Sequence, residues 1–173
     1  MKKSLMLVAI LLLLTGCSAQ ETFETVSDLP IKPVSATMQQ AIADLPKDAS
    51  VEVLQSEDGG KLYLCDGYTI TVHTMEAGDL NKTLQAVTGY EKADLTLMQT
   101  RQEDLKRYEC VWTAAGEGET QVGRACVLDD GYYHYVITVM AGESVAGTLT
   151  AAWNDLFSSF RLIGADVDLN TGS

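Results

Sequence analysis

Asp130-Gly131-Tyr132-Tyr133-His134-Tyr135-Val136-Ile137-Thr138-Val139-Met140 is the stretch whose reading decides the fold. From Tyr132 onward it is rich in aromatic and β-branched residues, which suit a pleated, half-buried backbone. Successive side chains of a strand point to opposite faces. Tyr133, Tyr135, Ile137 and Val139 therefore share one face, and His134, Val136 and Met140 the other. Both faces carry apolar groups, and a sheet built around such a strand needs cover on both sides.

The neighbouring segments supply the sheet and its cover. Upstream, Leu95 to Thr100, Tyr108 to Thr113 and Val122 to Leu128 read as strands, with turns near Glu103-Asp104, at Gly116-Glu117-Gly118 and at Asp129-Asp130-Gly131. Downstream, a helix from about Thr148 places Leu149, Trp153, Leu156 and Phe160 on one stripe, and Arg161-Leu162-Ile163 is either a strand or a frayed end. Nearer the start, Val51 to Leu54 and Leu62 to Cys65 flank Asp58-Gly59-Gly60, and a second reversal at Asp66-Gly67 leads into Tyr68 to Thr74. Asp79 opens a helix with Leu80, Leu84 and Val87 on one face, and Gly89 ends it. Met38, Ala41, Ile42 and Leu45 repeat at helical spacing, with Ser35 or Thr37 as cap and Pro46 as stop, so a short helix is expected there. The expected fold class is α+β: a predominantly antiparallel sheet of six or seven strands with helices on both faces, an α/β/α sandwich.

The N-terminus carries a different kind of signal. Lys2 and Lys3 precede an unbroken apolar run from Leu5 to Leu14, then Thr15, Gly16 and Cys17. This has the layout of an export signal. A bilayer-spanning helix needs about 20 apolar residues, and this run is far shorter. Leu14-Thr15-Gly16-Cys17 resembles the lipobox of bacterial lipoproteins, and the resemblance implies a diacylglycerol on the Cys17 sulfur, cleavage before that residue and an acylated amine, palmitate being the type of chain. Two or three acyl chains give a stable anchor where one is marginal. The expected plan is a signal peptide over 1–16, a flexible tether over 17–34 stiffened by Pro30 and Pro33, one α+β domain over 35–163 and a polar tail over 164–173. Its expected place is the cell membrane, lipid-anchored on the extracytoplasmic side, with the bilayer held through acylated Cys17.

A second resemblance lies at the other end. Asp130 to Tyr135 as strand, followed by Trp153-Asn154-Asp155-Leu156-Phe157-Ser158-Ser159-Phe160 as helix, resembles the ending of PsbP-like and Mog-like domains. It covers roughly the closing third of the chain, with a compatible order of elements upstream. It implies the same α+β architecture. Bacterial members of that group include lipoproteins, and plant members help organise a photosynthetic complex without being enzymes. The resemblance carries no functional residue onto a numbered position, so it informs fold more than function.

Charge narrows the classes of partner. Without residues 1–16, ten basic residues face 24 acidic ones, a formal charge of −14. That balance excludes nucleic acid and opposes lying flat on anionic lipid, because phosphate surfaces attract Lys and Arg.

The search for chemistry yields few residues. Cys65, Cys110 and Cys126 remain in the exported part. A hairpin turning near Gly118 would set Cys110 opposite Cys126, making them a candidate disulfide in an oxidising compartment; alternatively all three are small buried thiols. Pairing across Asp130-Gly131 would set His134 beside Cys126, completing a row with Cys110. Structural zinc wants four ligands and close spacings such as Cys-x-x-Cys, which are absent, so neither metal nor other cofactor is expected. His73 is expected at a strand end with no ligand role. No nucleophile elbow, metalloprotease helix or phosphate-cradling loop is present. The pairs Glu103-Asp104 and Asp129-Asp130 fit turn chemistry better than acid–base chemistry. Of the tyrosines at 63, 68, 132, 133 and 135, Tyr132 is kept together with His134 as a candidate exposed binding face. The expected function is a non-catalytic binding or assembly module for an envelope protein or a small ligand. The alternative is an envelope-associated, hydrolase-like enzyme with an unrecognised site.

Overall fold

The computed structural model describes residues 37–53, 60–102 and 104–164. Cys17, the proposed leader and tether, the Asp58-Gly59 part of the first turn, Glu103 and the tail beyond Gly164 lie outside them. The described strands are β1 (Gln40–Ile42), β2 (Ser50–Val53), β3 (Lys61–Cys65), β4 (Tyr68–Glu76), β5 (Leu97–Gln102), β6 (Leu105–Ala115), β7 (Thr120–Asp129), β8 (Tyr133–Gly142) and β9 (Arg161–Ile163); the helices are α1 (Leu80–Thr88), α2 (Glu143–Ala146) and α3 (Thr150–Ser159). Seven strands form one sheet in the order β2-β3-β4-β8-β7-β6-β5, and β1 pairs with β9 in a separate two-stranded ribbon. Every pairing is antiparallel.

β8 sits at the centre, between β4 and β7. Its alternation divides the core in two. Tyr135, Ile137 and Val139, with Ile70, Cys126 and Leu128, form the first face and meet Trp153, Leu156, Phe157 and Phe160 from α3 and its end. Val136, with Tyr108, Cys110, Trp112, Ala125 and Val127, forms the second face and meets Leu84 of α1. Burying each large apolar side chain is worth about 1.5–3 kcal/mol, which is what drives helices onto both faces. The α+β sheet with helices on both sides is thus the observed architecture.

Local chemistry sets the joints. The Asp79 side chain accepts a hydrogen bond from the Asn81 N–H at 2.9 Å, and Gly89, at φ 79°, donates its N–H to the Gln85 carbonyl. These are the start and stop signals of α1. Between β7 and β8 the Asp130 carboxylate accepts from the N–H groups of Tyr132 and Tyr133 at 2.8 and 2.7 Å and from the Tyr135 hydroxyl at 3.0 Å. Asp130 is consequently buried rather than solvated.

Two expectations about local structure are corrected. The segment from Met38 to Leu45 contains strand β1 rather than a helix, paired through Ala41 with Leu162 of β9. The reason is visible in which side chains are covered: Ala41, Ala43 and Leu45 pack on the first face while Met38 is exposed, a period of two rather than 3.6. The Gln39 N–H donates to the Tyr135 hydroxyl at 2.9 Å and the Asp44 N–H to Ser159 Oγ at 2.9 Å, which fastens the strand at both ends. The second correction concerns His73, which lies within β4 opposite Val136 rather than at a strand end.

Candidate functional site

The sequence-derived candidates do not converge. Cys110 pairs with Ala125, and Cys126 with Glu109. The loop joining β6 and β7 has four residues, closed by the Gly116 N–H donating to the Glu119 carbonyl at 3.1 Å, with Ala115 opposite Thr120. The turn is therefore centred between Glu117 and Gly118 rather than on Gly118. A register shift of one residue reverses every side chain. Cys126 lies in the core of the first face, Cys110 in that of the second. The candidate Cys110–Cys126 disulfide is accordingly corrected in favour of the alternative: Cys65, Cys110 and Cys126 are all free thiols. Burial pushes Cys110 up to about 11 and Cys126 up to about 12, so both stay protonated and unreactive.

The row of Cys110, Cys126 and His134 fails for the same reason. His134 is opposite Asp129, and Cys126 is opposite Ile137. Among the described residues no three His, Cys, Asp or Glu side chains are grouped to hold a metal ion. Nor do Tyr132 and His134 share an exposed face. Tyr132 is exposed in the turn, whereas His134 is buried beneath α1.

His134 Nδ1 lies 2.7 Å from Thr83 Oγ1, and its Nε2 lies 3.9 Å from an Asp129 carboxylate oxygen. Hydroxyl, imidazole and carboxylate follow the order used to activate a nucleophile. Thr83 and His134 are nevertheless sealed between α1 and the sheet, at 4% and 2% exposure, so a substrate atom reaches Thr83 Oγ1 only if α1 lifts away. Burial lowers the pKa of His134, opposed by the charges of Asp129 and Asp130. The neutral ring ties α1 to the β7–β8 hairpin.

One concave site lies on the first face, at the end of the sheet that α3 leaves uncovered; another, of about 620 Å³, lies between the β1 segment and β3–β4. In the first, β5, β6 and β7 form the floor, and α2, the turn at Gly147 and α3 form one wall, around a groove of about 600 Å³. Met98 and Val111 are 57% and 55% exposed in its floor. Register accounts for the exposure: Tyr108, Cys110 and Trp112 of β6 turn toward α1, which leaves Arg107, Glu109 and Val111 on the groove side. Trp153 lines the groove from α3.

A charged network borders this floor. Arg107 Nε donates to Glu109 Oε1 at 2.7 Å, and Arg124 reaches Glu109 Oε2 at 3.5 Å. Arg124 also donates to Asn154 Oδ1 at 2.7 Å and lies 4.8 Å from the centre of the Phe157 ring. The Arg107 guanidinium donates to the carbonyls of Phe157 at 2.6 Å and Phe160 at 3.4 Å, where a cation suits the open C-terminal end of α3. The two arginines thereby hold the wall against the floor. Their side chains are committed to positioning the groove. No single segment of the sequence marks this site, because its lining is drawn from five elements; the one available signal was Val111 falling in phase with Arg107 and Glu109 along β6.

No protein-family model matches the chain, and no curated protein matches it by sequence. Solved structures do. The solution structure of cyanobacterial PsbP (CyanoP) from Synechocystis matches with a TM-score of 0.54 at 10% identity, over 78% of this chain and 98% of that one. The crystal structure of LpqN, described as involved in cell envelope biogenesis of Mycobacterium tuberculosis, matches with a TM-score of 0.47 at 13% identity, over 72% of this chain and 84% of that one. At the identity of the cyanobacterial protein, likeness of shape speaks for architecture, and the architecture here is a PsbP-like α+β fold.

Proposed function

We propose that this chain is a membrane-tethered extracytoplasmic lipoprotein, acylated at Cys17, whose domain is a non-catalytic module that binds a small envelope ligand in the groove between the β5–β7 floor and α3. One observation carries the reading: an apolar floor with Met98 and Val111 exposed lies inside a concavity of about 600 Å³, within the range of small-molecule sites. Isolated exposed apolar residues are ordinary; two neighbours at the bottom of one groove are not. The groove's charges support binding over catalysis, since the Glu109 carboxylate is held between Arg107 and Arg124. The tether proposed for this domain is the lipid on Cys17; among the described residues no helix is long and apolar enough to cross a membrane.

The test takes the full chain from the membranes of its producing cell, without detergent, and weighs it intact and after denaturation. The chain should begin at Cys17 and carry two or three acyl groups. A small molecule should leave on denaturation, Cys17→Ser should shift the protein out of the membrane fraction, and Met98→Asp with Val111→Asp should abolish the bound molecule while leaving thermal unfolding within a few degrees. An unacylated chain would refute the tether. Equal recovery of the molecule from the doubly substituted protein, or recovery of a protein in its place, would refute the small-ligand groove.

A further inference from the structure

We infer that the groove selects an amphipathic cation, an apolar molecule ending in an alkylammonium group, with Glu143 as its counter-charge; this deepens the binding reading above and rests on it. The apolar part follows from the lining. Met98, Val111 and Val122 from three strands share the groove with Ala146 of the helical wall. Such a surface gains by excluding water, and the unbranched Met98 adapts to the shape of what covers it.

The charge follows from what the lining leaves over. Three charged side chains line the groove: Glu109, Arg124 and Glu143. Arg124 reaches Glu109 at 3.5 Å, donates to Asn154 and lies over the Phe157 ring, and Arg107 donates to Glu109 from the border. Those charges answer one another. Glu143 is exposed and, among the described residues, has no hydrogen-bond or ion-pair partner for its side chain.

Nor is the Glu143 carboxylate needed by its own element. It opens α2, where an acidic side chain commonly meets an open N–H, but the Ser144 N–H already donates to Glu119 Oε2 at 3.2 Å. Gly142 makes room for that contact, because a Cβ there would strike the Glu119 carboxylate. The joint thus brings a second carboxylate up to the residue beside Glu143. A cation entering past α2 meets a negative field near at hand and, from a chain of net charge −12, at a distance as well. An anion meets the same field as repulsion, and a neutral molecule gains from the floor alone.

The experiment uses the full-length chain in nanodiscs of zwitterionic phosphatidylcholine, labelled with ¹³C on methionine methyls. It is titrated near neutral pH with octylammonium, octanol and octanoate, which share a tail and differ in charge, each corrected against empty discs. Octylammonium and octanol should move the Met98 methyl resonance saturably, octylammonium at the lower concentration, and octanoate should bind most weakly. Glu143→Gln should weaken octylammonium by about two- to fivefold, the worth of an exposed ion pair, and leave octanol unchanged. Glu143→Lys, a surface change that leaves the floor intact, should place octanoate ahead of octylammonium. Added salt should narrow the gap between octylammonium and octanol, because exposed charges are screened. Thermal unfolding within a few degrees of the parent confirms that both variants are folded. Equal binding of octylammonium and octanol, or an octylammonium affinity indifferent to both substitutions at Glu143, would overturn the inference and leave the groove standing. If none of the three probes moves the Met98 methyl, the groove reading falls with it.

Discussion

His134 shows how a residue can be placed correctly by pattern and still be misjudged in role. Its alternation with Tyr133 and Tyr135 set it on the second face, and that is where it lies. Nothing in the pattern said that α1 would close over it. Histidine serves equally at a surface or, when its ring nitrogens find partners, in a core. Here Thr83 and Asp129 provide those partners. The consequence is a stability that depends on pH. Burial lowers the His134 pKa below its ordinary 6.5, so just below that value the unfolded chain binds a proton that the folded chain refuses. Stability from this group is complete above about 6.5 and is lost as pH falls from there toward the lowered folded value. Urea unfolding of the full chain at a series of pH values should show this decline, and His134→Gln should remove the part of the slope that begins near 6.5. An unchanged slope in the variant would mean that other groups cause it.

Elements were legible where a local signal and a tertiary need agreed. Asp79 and Gly89 bracket α1 as cap and stop, and Leu80, Leu84 and Val87 between them face the second core cluster. Leu84 is fully buried there, so Leu84→Ala should cost about 2–5 kcal/mol in chemical denaturation; a loss below 1 kcal/mol would show that α1 is not seated as described. Where the two disagreed, the reading failed. Met38, Ala41, Ile42 and Leu45 fit a helix too short to stand alone, and pairing with β9 decided the outcome instead. The β6–β7 hairpin failed more narrowly, by one residue of register, because Gly116-Glu117-Gly118 marks a reversal without fixing its centre. That small error separated Cys110 and Cys126 by the thickness of the sheet.

At the scale of the molecule, the doubly apolar strand β8 was sufficient to foretell a sheet covered on both faces, and the match to cyanobacterial PsbP agrees in architecture. What it did not foretell is where the cover ends. α3 and the β1–β9 ribbon lie over the middle of the first face, and the β5–β6 end is left as the floor of a groove. Coverage is a property of lengths and packing angles summed over the chain, so no single segment encodes it. The groove as a working surface is the central claim, and site-specific photo-crosslinking tests it most directly. A photoreactive amino acid replaces Val111 in the groove or, as control, the equally exposed Val51 in edge strand β2 at the opposite end of the sheet. After irradiation of intact cells, the account predicts a discrete low-mass adduct on the full-length chain labelled at position 111 and none on the chain labelled at position 51. Adducts of equal yield at both positions, or none at 111, would contradict it.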